Sequence, residues 1–222
     1  MDKMHANAAF DRAGIPHCKW DYMMDWEIDN FEEIEERISA NLGYPVFVKP
    51  ANSGSSVGVS RVDSKEELRD AVSLALAHDN KVIFEEFVVG HEVECAVFGN
   101  APELIASEVG EIGASAKFYD YDDKYKNGTS KTFIPANIPR EIRNEVREIA
   151  KKAFTVMDCR GLSRVDFFVT DEGKILLNEI NTLPGFTKIS MYPQLMQYSG
   201  MSYSELVDNI IQLALKGADD ER

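Results

Sequence analysis

The spacing of hydrophobic and polar residues predicts short strands and helices along the whole chain. Runs of β-branched and aromatic residues bounded by turn residues are typical of strands, and longer amphipathic stretches are typical of helices. The predicted strands cover residues 43–50, 57–62, 81–88, 91–98, 103–111 and 161–170, and a last one starts at residue 175. The predicted helices cover residues 1–15, 31–40, 64–78, 140–157 and 204–216. A polar, turn-rich stretch at residues 117–131 fits neither pattern.

A β-hairpin is predicted around the turn signal Asp171-Glu-Gly-Lys174, which separates the last two strands. With a symmetric turn, Asp166 lies opposite Glu179, and Arg164 lies opposite Asn181. Because side chains alternate between the two faces of a strand, these four share one face. The same face is expected to carry two apolar residues further along, Phe168 and Leu177.

The residues on this hairpin face are suited to a metal ion. Like charges that face each other destabilise a strand pair unless a cation lies between them. Asp, Glu and Asn offer oxygen ligands, which a hard cation such as Mg²⁺ prefers. The alternative is an exposed acidic hairpin on an acidic protein. Arg164 and Asn181 on the same face, with Pro184-Gly185 ending the strand, favour the metal site.

Composition limits the classes of protein to consider. The 222 residues are 44% hydrophobic and 28% charged, as in a folded protein with one domain or two small ones. The formal net charge of −14 argues against nucleic acid or an anionic membrane as the main partner. Three dispersed cysteines indicate neither a disulfide framework nor a zinc site. With no secretory or membrane-spanning apolar segment, a cytoplasmic protein is expected.

Three further segments have two interpretations each. The loop Asn52–Gly58 follows Lys49, and its small residues allow backbone N–H groups to close on phosphate oxygens, although an ordinary turn is equally compatible. The acidic pair that opens Glu85–Val88 is either a strand end reaching solvent or part of a site. The aromatic stretch at 117–131 is either a lid or a surface loop. No arrangement of Ser/His/Asp or Cys/His residues suggests covalent catalysis.

In this order, the motifs resemble the D-alanine–D-alanine ligase family of ATP-grasp enzymes over nearly the whole chain. They are Lys49-Pro50, the Gly-Ser-Ser-Val-Gly loop ending at Gly58, Glu85-Glu-Phe-Val88, Phe118-Tyr-Asp-Tyr121 with Lys124-Tyr125, Arg164-Val-Asp166 and Glu179-Ile-Asn-Thr-Leu-Pro-Gly185. The resemblance implies an α+β, ATP-grasp fold, with two α+β subdomains whose mainly antiparallel sheets grip ATP between them. The expected subdomains are a central (lid) part at 1–85 and a C-terminal part with the Mg²⁺ and substrate site at 86–222.

The resemblance also implies roles for individual residues. The ligands of Mg²⁺ (or Mn²⁺) would be Asp166, Glu179 and Asn181. The ATP phosphates would be held by Lys3, Lys49, Ser55 and Ser56. The adenine would lie along Glu85, Glu86, Phe87 and Val88, with Glu92 on the ribose and an apolar bed of Phe87, Phe118 and Phe168. Lys124 and Tyr125 would belong to a lid, Arg164 and Gly185 would hold the acyl-phosphate and tetrahedral oxygens, and Ser190 would hold the carboxylate of the second amino acid.

The activity implied by the resemblance is ATP-dependent synthesis of D-alanyl-D-alanine for peptidoglycan, and hence for cell wall and cell shape. ATP would phosphorylate the carboxylate of one D-alanine, and the amine of a second would attack the acyl phosphate. Lys124-Tyr125 resembles the ligases that use D-alanine or D-serine as second substrate and not those that use D-lactate, and the apolar Met191 favours D-alanine over D-serine. Another ATP-grasp carboxylate–amine ligase and an ATP-binding module without catalysis are the remaining alternatives.

Members of the resembled family carry an additional N-terminal domain that binds the first D-alanine, and this chain starts after it. We therefore expect either a fragment or a shortened natural protein, and we expect little ligation from these residues alone. A homodimer is left open. No nucleic-acid or membrane partner is expected.

Overall fold

The computed structural model of the protein describes residues 2–113, 131–187 and 189–220. These residues form two compact units. The first unit contains residues 2–8 and 17–89, and the second contains residues 9–16, 90–113, 131–187 and 189–220. The subdomains expected from the sequence, 1–85 and 86–222, stay a prediction, and the description below follows the two units.

The elements follow the hydrophobic pattern closely. The helices are α1 Lys3–Ala13, α2 Phe31–Asn41, α3 Leu68–Leu76, α4 Arg140–Val156, α5 Met191–Tyr198 and α6 Tyr203–Asp220. The strands are β1 Trp20–Met24, β2 Val46–Pro50, β3 Ser60–Val62, β4 Lys81–Glu86, β5 His91–Asn100, β6 Glu103–Gly113, β7 Lys131–Phe133, β8 Gly161–Val169 and β9 Ile175–Asn181. Helix α5 and strands β1 and β7 are not among the predicted elements, and β3 starts later than predicted.

The first unit is built on a four-stranded antiparallel sheet in the order β1-β4-β2-β3. Helix α2 buries residues spaced by three and four positions, Phe31, Ile34 and Ile38, as an amphipathic helix does against a sheet. Helix α3 contributes Leu68, Ala71, Val72 and Ala75 to the same core. The inward side chains of β2 and β4 complete it, so the first unit has its own hydrophobic core.

The second unit is built on a five-stranded antiparallel sheet in the order β7-β6-β5-β8-β9. Helix α4 packs against β5, β6, β8 and β9 through Val146, Ala150, Ala153 and Phe154. Helices α5 and α6 pack on the sheet face that carries Ala96 and Phe98 of β5. With helices beside two antiparallel sheets, the α+β class predicted from the sequence is confirmed.

The three cysteines are free thiols, and Cys18 and Cys95 are buried. Burial, together with the nearby Glu85 carboxylate, raises the pKa of Cys18 to about 12, so this thiol stays protonated at neutral pH. Among the described residues, no helix has both the length and the apolar character that crossing a membrane requires.

Candidate functional site

Five polar side chains lie together on one face of the five-stranded sheet, and we call them the acidic cluster. They are Glu94 on β5, Arg164 and Asp166 on β8, and Glu179 and Asn181 on β9. Asp166 is the register partner of both Glu94 and Glu179, and Arg164 is the partner of Asn181. Directly paired residues project from the same face of a sheet. The face-sharing of Asp166, Glu179, Arg164 and Asn181 that the hairpin predicted is therefore confirmed.

Hydrogen bonds hold the acidic cluster in one arrangement. Arg164 binds Asp166 through two parallel contacts, from Nε to Oδ1 and from Nη2 to Oδ2, both 2.7 Å long. The amide nitrogen of Asn181 donates to Asp166 Oδ2 at 2.9 Å and to Glu179 Oε1 at 3.2 Å. Asn181 thus bridges the two carboxylates that face each other.

One part of the predicted hairpin register is wrong. At Asp166 and on the side away from the turn, the strand pairs have the predicted register. Between Asp166 and the turn, the register is shifted by one residue. Phe167 pairs with Leu177 and Phe168 pairs with Leu176, because Asn178 is an extra residue on β9. Such a β-bulge turns the strand so that the alternation of faces is interrupted. Leu177 therefore does not share a face with Phe168 as predicted, and it is buried at 1% exposure.

Two members of the acidic cluster are buried and the other three are half-buried, so the alternative of an exposed acidic hairpin is wrong. Asp166 is 9% exposed and Glu94 is 5% exposed. Burial alone lowers the pKa of Arg164, but the carboxylates of Asp166, Glu94 and Glu179 outweigh it and raise that pKa well above its ordinary value. Arg164 therefore stays charged and offsets part of the negative charge that these strands bring together.

The acidic cluster fits a hard divalent cation by the chemistry of its side chains. Asp166 and Glu179 face each other, and Asn181 is already within hydrogen-bond distance of both. Within the described part of the chain, no three His, Cys, Asp or Glu side chains are placed to hold a metal ion by themselves. A third protein oxygen from this cluster would have to come from the amide of Asn181, and the assignment of Asp166, Glu179 and Asn181 as metal ligands stays a prediction. Presenting that oxygen requires a rotation of the amide, since its nitrogen now contacts both carboxylates.

Two further predicted residues lie on the same face, closer to the hairpin turn. Glu92 and Phe168 are register partners across β5 and β8, two residues from Glu94 and Asp166 respectively. Glu92 is exposed and Phe168 is half-buried. The structure thus brings both residues next to the acidic cluster.

Gly185 and Ser190 lie close together after β9. A Cβ atom at Gly185 would be 3.0 Å from Ser190 Oγ, so this position has no room for a larger residue without movement of the serine. The Ser190 hydroxyl accepts from the Thr187 backbone N–H at 3.0 Å. Met191, whose apolar side chain was predicted to favour D-alanine, is 7% exposed and packs in the core formed with α5 and α6. Its burial gives it a packing role, and its influence on substrate choice stays a prediction.

In the first unit, Lys49 and Glu85 form a buried ion pair. Lys49 Nζ lies 2.6 Å from Glu85 Oε2, and the two side chains are 15% and 6% exposed. The amide of Asn7 on α1 approaches the other carboxylate oxygen at 3.5 Å. The interpretation of Glu85 as a strand end reaching solvent is therefore wrong. Its charge is kept inside the unit because a lysine neutralises it.

The residues that follow Glu85 are also engaged within the first unit. Glu86 accepts a hydrogen bond from the backbone N–H of Lys19 at 2.8 Å. The Phe87 ring lies 4.4 Å beneath the Arg61 guanidinium carbon, and its centroid is 5.8 Å from that of Phe47. Val88 is half-buried. The predicted adenine segment therefore starts in the central strand β4 and leaves it at Phe87.

The predicted phosphate loop is held at its start and strained at its centre. Lys3 Nζ donates to the Ser53 carbonyl at 2.7 Å. Ser55 and Ser56 adopt left-handed backbone angles, with φ of 54° and 60°. Non-glycine residues adopt such angles at a cost, and they concentrate at functional loops. Gly58 has φ of 71°, and a Cβ atom there would be 2.6 Å from the His78 ring, so only glycine fits.

Asp79 anchors the start of this loop and was not identified from the sequence. Its Oδ2 accepts from the backbone N–H of Asn52 at 2.7 Å and from the Asn52 side-chain amide at 2.9 Å. Asp79 lies in the turn after α3, where an aspartate is unremarkable by itself. The pairing is between distant segments, so no local sequence signal reveals it.

Replacing Asp79 with alanine should loosen the loop while leaving the fold intact. Losing these two hydrogen bonds to a carboxylate should cost about 1 kcal/mol of local opening free energy. Backbone amides around Asn52 should then exchange with deuterium about fivefold faster. Asp70→Ala, at an exposed position of α3, is the matched control and should leave that exchange unchanged. Equal exchange in the two variants would show that Asp79 does not anchor the loop.

Three predicted residues, Phe118, Lys124 and Tyr125, lie outside the described residues, so their assignments remain predictions. Among the described site residues, sequence reasoning missed Glu94 as well as Asp79. Glu94 stands in an alternating pattern that predicts a solvent-facing position, and only its pairing with β8 shows the acidic cluster around it.

Comparison with known proteins gives a family for this chain. Residues 9–212 match the family model described as D-ala D-ala ligase C-terminus. The chain is 50% identical to the D-alanine–D-alanine ligase of Acetivibrio thermocellus, over 99% of this chain and 59% of that relative. It is 47% identical to the ligase of the same name from Deinococcus radiodurans, over 97% of this chain and 64% of that relative.

Solved structures agree with the sequence comparison. The VanG D-Ala:D-Ser ligase from Enterococcus faecalis superposes with a TM-score of 0.86 at 42% identity, over 96% of this chain and 61% of that one. The D-alanine–D-alanine ligase from Coxiella burnetii gives a TM-score of 0.84 at 33% identity, over 100% of this chain and 59% of that one. The ATP-grasp fold expected from the sequence is thereby confirmed. The chain spans about 60% of the length of these proteins, and it belongs to the D-alanine–D-alanine ligase family, matching its C-terminal part.

Proposed function

We propose that this chain is the ATP-binding and catalytic part of an ADP-forming D-alanine–D-alanine ligase. The observation that carries the proposal is the acidic cluster, in which Asp166, Glu179, Asn181 and Arg164 occupy one sheet face in a chain that is 50% identical to such a ligase. The dipeptide product would serve peptidoglycan synthesis. We place the reaction in the cytoplasm, where ATP is available, and a homodimer remains a prediction.

Asp166, Glu179 and the amide oxygen of Asn181 are the proposed ligands of Mg²⁺ or Mn²⁺. When bound, the metal would neutralise phosphate charge and orient the phosphoryl group for transfer. Arg164 would then be partly released from Asp166 and could hold the oxygens of the acyl phosphate. Its fork of N–H donors matches a phosphoryl group well.

The remaining nucleotide contacts are proposed residue by residue. Lys3 and Lys49 would bind the phosphates as point charges, and the loop with Ser55 and Ser56 would cover them with backbone N–H groups. The segment from Glu85 through Glu86 and Phe87 to Val88 would bind the adenine, and Glu92 the ribose. Phe87 and Phe168, with Phe118, would supply apolar contacts to the base.

The proposed reaction has two steps. A carboxylate oxygen of the first D-alanine attacks the γ-phosphorus of ATP, and the bond to ADP breaks. The amine of the second D-alanine then attacks the acyl carbon and loses a proton, and inorganic phosphate leaves. Both steps concentrate negative charge, which fixed cations and donors stabilise in a site from which water is excluded. Gly185, like Arg164, is assigned to the acyl-phosphate and tetrahedral oxygens. Lys124 is assigned to the γ-phosphate, Tyr125 to the substrate, and Ser190 to the carboxylate of the second amino acid.

A D-alanine–D-serine ligase is the second candidate, supported by the structural similarity to the Enterococcus faecalis enzyme. Lys124-Tyr125 is compatible with either second substrate. The identity of 50% to a D-alanine–D-alanine ligase favours D-alanine. A nucleotide-binding module without catalysis is the third candidate.

Two measurements test the proposal. Calorimetry of the 222-residue chain with Mg²⁺ and a non-hydrolysable ATP analogue should show binding, because all proposed nucleotide contacts lie within it. ADP release should then be measured for the chain joined to the N-terminal domain of a relative, with D-alanine and D-serine in competition. We expect dipeptide from the joined protein and little from the chain alone, since orientation of bound reactants can supply about 7–11 kcal/mol of a barrier. Nucleotide binding without ADP release in the joined protein would favour the binding module.

A further inference from the structure

Arg164 lies between two carboxylates that come from different strands. Its guanidinium forms the two-pronged contact with Asp166 of β8, its own strand. Its Nε also lies 3.2 Å from Glu94 Oε2 of the neighbouring strand β5. The single hydrogen on Nε points to Asp166. The contact of Nε with Glu94 is therefore an ion pair without a hydrogen bond.

Glu94 is buried more deeply than a carboxylate normally is. It is 5% exposed, and its register partners are Asp166 of β8 and Gly110 of β6, neither of which carries a positive charge. A buried carboxylate needs a nearby positive charge. Arg164 supplies that charge, and Glu94 in turn contributes to the raised pKa of Arg164.

We propose that Glu94 is a positioning residue that holds Arg164 on the sheet when Asp166 turns its oxygens to the metal ion. This role rests on the proposed function, because it requires Asp166 to be a metal ligand. As Asp166 Oδ1 leaves, the Nε–H of Arg164 closes on Glu94 Oε2. The guanidinium thus keeps one carboxylate partner and its place, while its Nη donors become available for a phosphoryl group.

Without Glu94, metal binding and Arg164 compete for the same carboxylate. In a Glu94→Gln variant, a metal ion that takes Asp166 leaves the half-buried Arg164 without a carboxylate partner of its own. Arg164 therefore holds Asp166 more strongly, and the metal ion binds more weakly although Glu94 is not one of its ligands. Residues that orient a metal ligand from outside typically change metal affinity by about 10–100-fold when mutated.

The first measurement is the affinity of the chain for Mn²⁺, followed by electron paramagnetic resonance of the free ion. Glu94→Gln should weaken binding about tenfold. Glu103→Gln, which removes the same charge at an exposed position of β6, is the matched control and should bind like the wild type. Affinities within twofold of each other in the two variants would overturn the positioning role.

A second measurement separates positioning from simple charge attraction to the metal. The Nε–H signal of Arg164, identified by its absence in Arg164→Lys, can be followed by ¹⁵N NMR while Mg²⁺ is added. In the wild type the signal should shift and persist, because the Nε–H of Arg164 changes its acceptor from Asp166 to Glu94. In Glu94→Gln the signal should broaden or disappear, because no carboxylate accepts the hydrogen bond from the Nε–H. The same persistent signal in both proteins would overturn the proposal even if affinity falls.

These outcomes also separate the positioning role from the proposed function. If the wild type does not bind Mn²⁺ at all, the metal assignment fails and the positioning role fails with it. If the wild type binds Mn²⁺ and Glu94→Gln behaves like Glu103→Gln, only the positioning role fails.

Discussion

Replacing Lys49 with methionine should lower the free energy of unfolding of the first unit by about 3 kcal/mol, the cost expected when one partner of a buried ion pair is removed. The Glu85 carboxylate is 6% exposed and has Lys49 Nζ at 2.6 Å. Its other partner, the Asn7 amide, is at the limit of a hydrogen bond at 3.5 Å. The variant thus leaves a buried charge with little compensation. The lysine also loses its contact with the Phe47 ring, whose centroid lies 5.5 Å from Nζ.

Tryptophan fluorescence during urea unfolding measures this loss selectively. The two tryptophans of the chain, Trp20 and Trp26, both belong to the first unit. Lys19→Met, at an exposed position of the same unit, is the control and should change the midpoint little. Adding Glu85→Gln to Lys49→Met should restore much of the stability, because the buried charge is removed. An equally large loss in the double variant would show that the lysine stem, and not its charge, stabilises the unit.

Glu179→Gln should weaken metal binding by about 100-fold or more, since loss of a direct ligand should exceed the upper range known for residues that only orient one. Folding should not suffer in the same way. Glu179 faces Asp166 across the hairpin, and removing one of two opposed charges relieves their repulsion. Thermal stability in EDTA should therefore be unchanged or raised.

The matched control for Glu179 lies on the same hairpin. Glu172 is exposed in the turn between β8 and β9, and Glu172→Gln removes the same charge without touching the acidic cluster. Mn²⁺ titration of both variants, with the ATP analogue present, compares them directly. Wild-type metal affinity in Glu179→Gln would refute its assignment as a ligand.

Asp166→Asn should differ from Glu179→Gln by lowering thermal stability in EDTA, because Arg164 then loses the carboxylate that accepts both of its hydrogen bonds.

The pairing within the acidic cluster was predicted by counting outward from an assumed symmetric turn, which places Asp166 opposite Glu179 and Arg164 opposite Asn181. In the structure the pair nearest the turn is Val169 with Ile175, so these partners of Asp166 and Arg164 depend on the extra residue Asn178 and not on the turn alone. The register shift at Asn178 was not predictable in the same way. Ile175, Leu176 and Leu177 are all buried. A continuous apolar run has no alternation, so it hides which residue faces which side.

The remaining misses have physical reasons of the same kind. Helix α5 contains Pro193 at its third position. Proline is tolerated in the first turn of a helix, but in a sequence it usually indicates that a helix is interrupted. Glu94 and Asp79 act through partners on distant segments. Their burial and hydrogen bonds depend on strand pairing and on packing, which the local pattern does not contain.

The extra residue Asn178 restricts how relatives of this chain can gain or lose residues in the hairpin. On one side of it Phe167 pairs with Leu177 in the core, and on the other Asp166 pairs with Glu179. Deleting one residue of β9 would displace either the apolar pair or the carboxylate pair by one position, exchanging an inward side chain for an outward one. Length variation should therefore be confined to the turn at residues 170–174. A relative with an alignment gap within β9 should lack the proposed metal site.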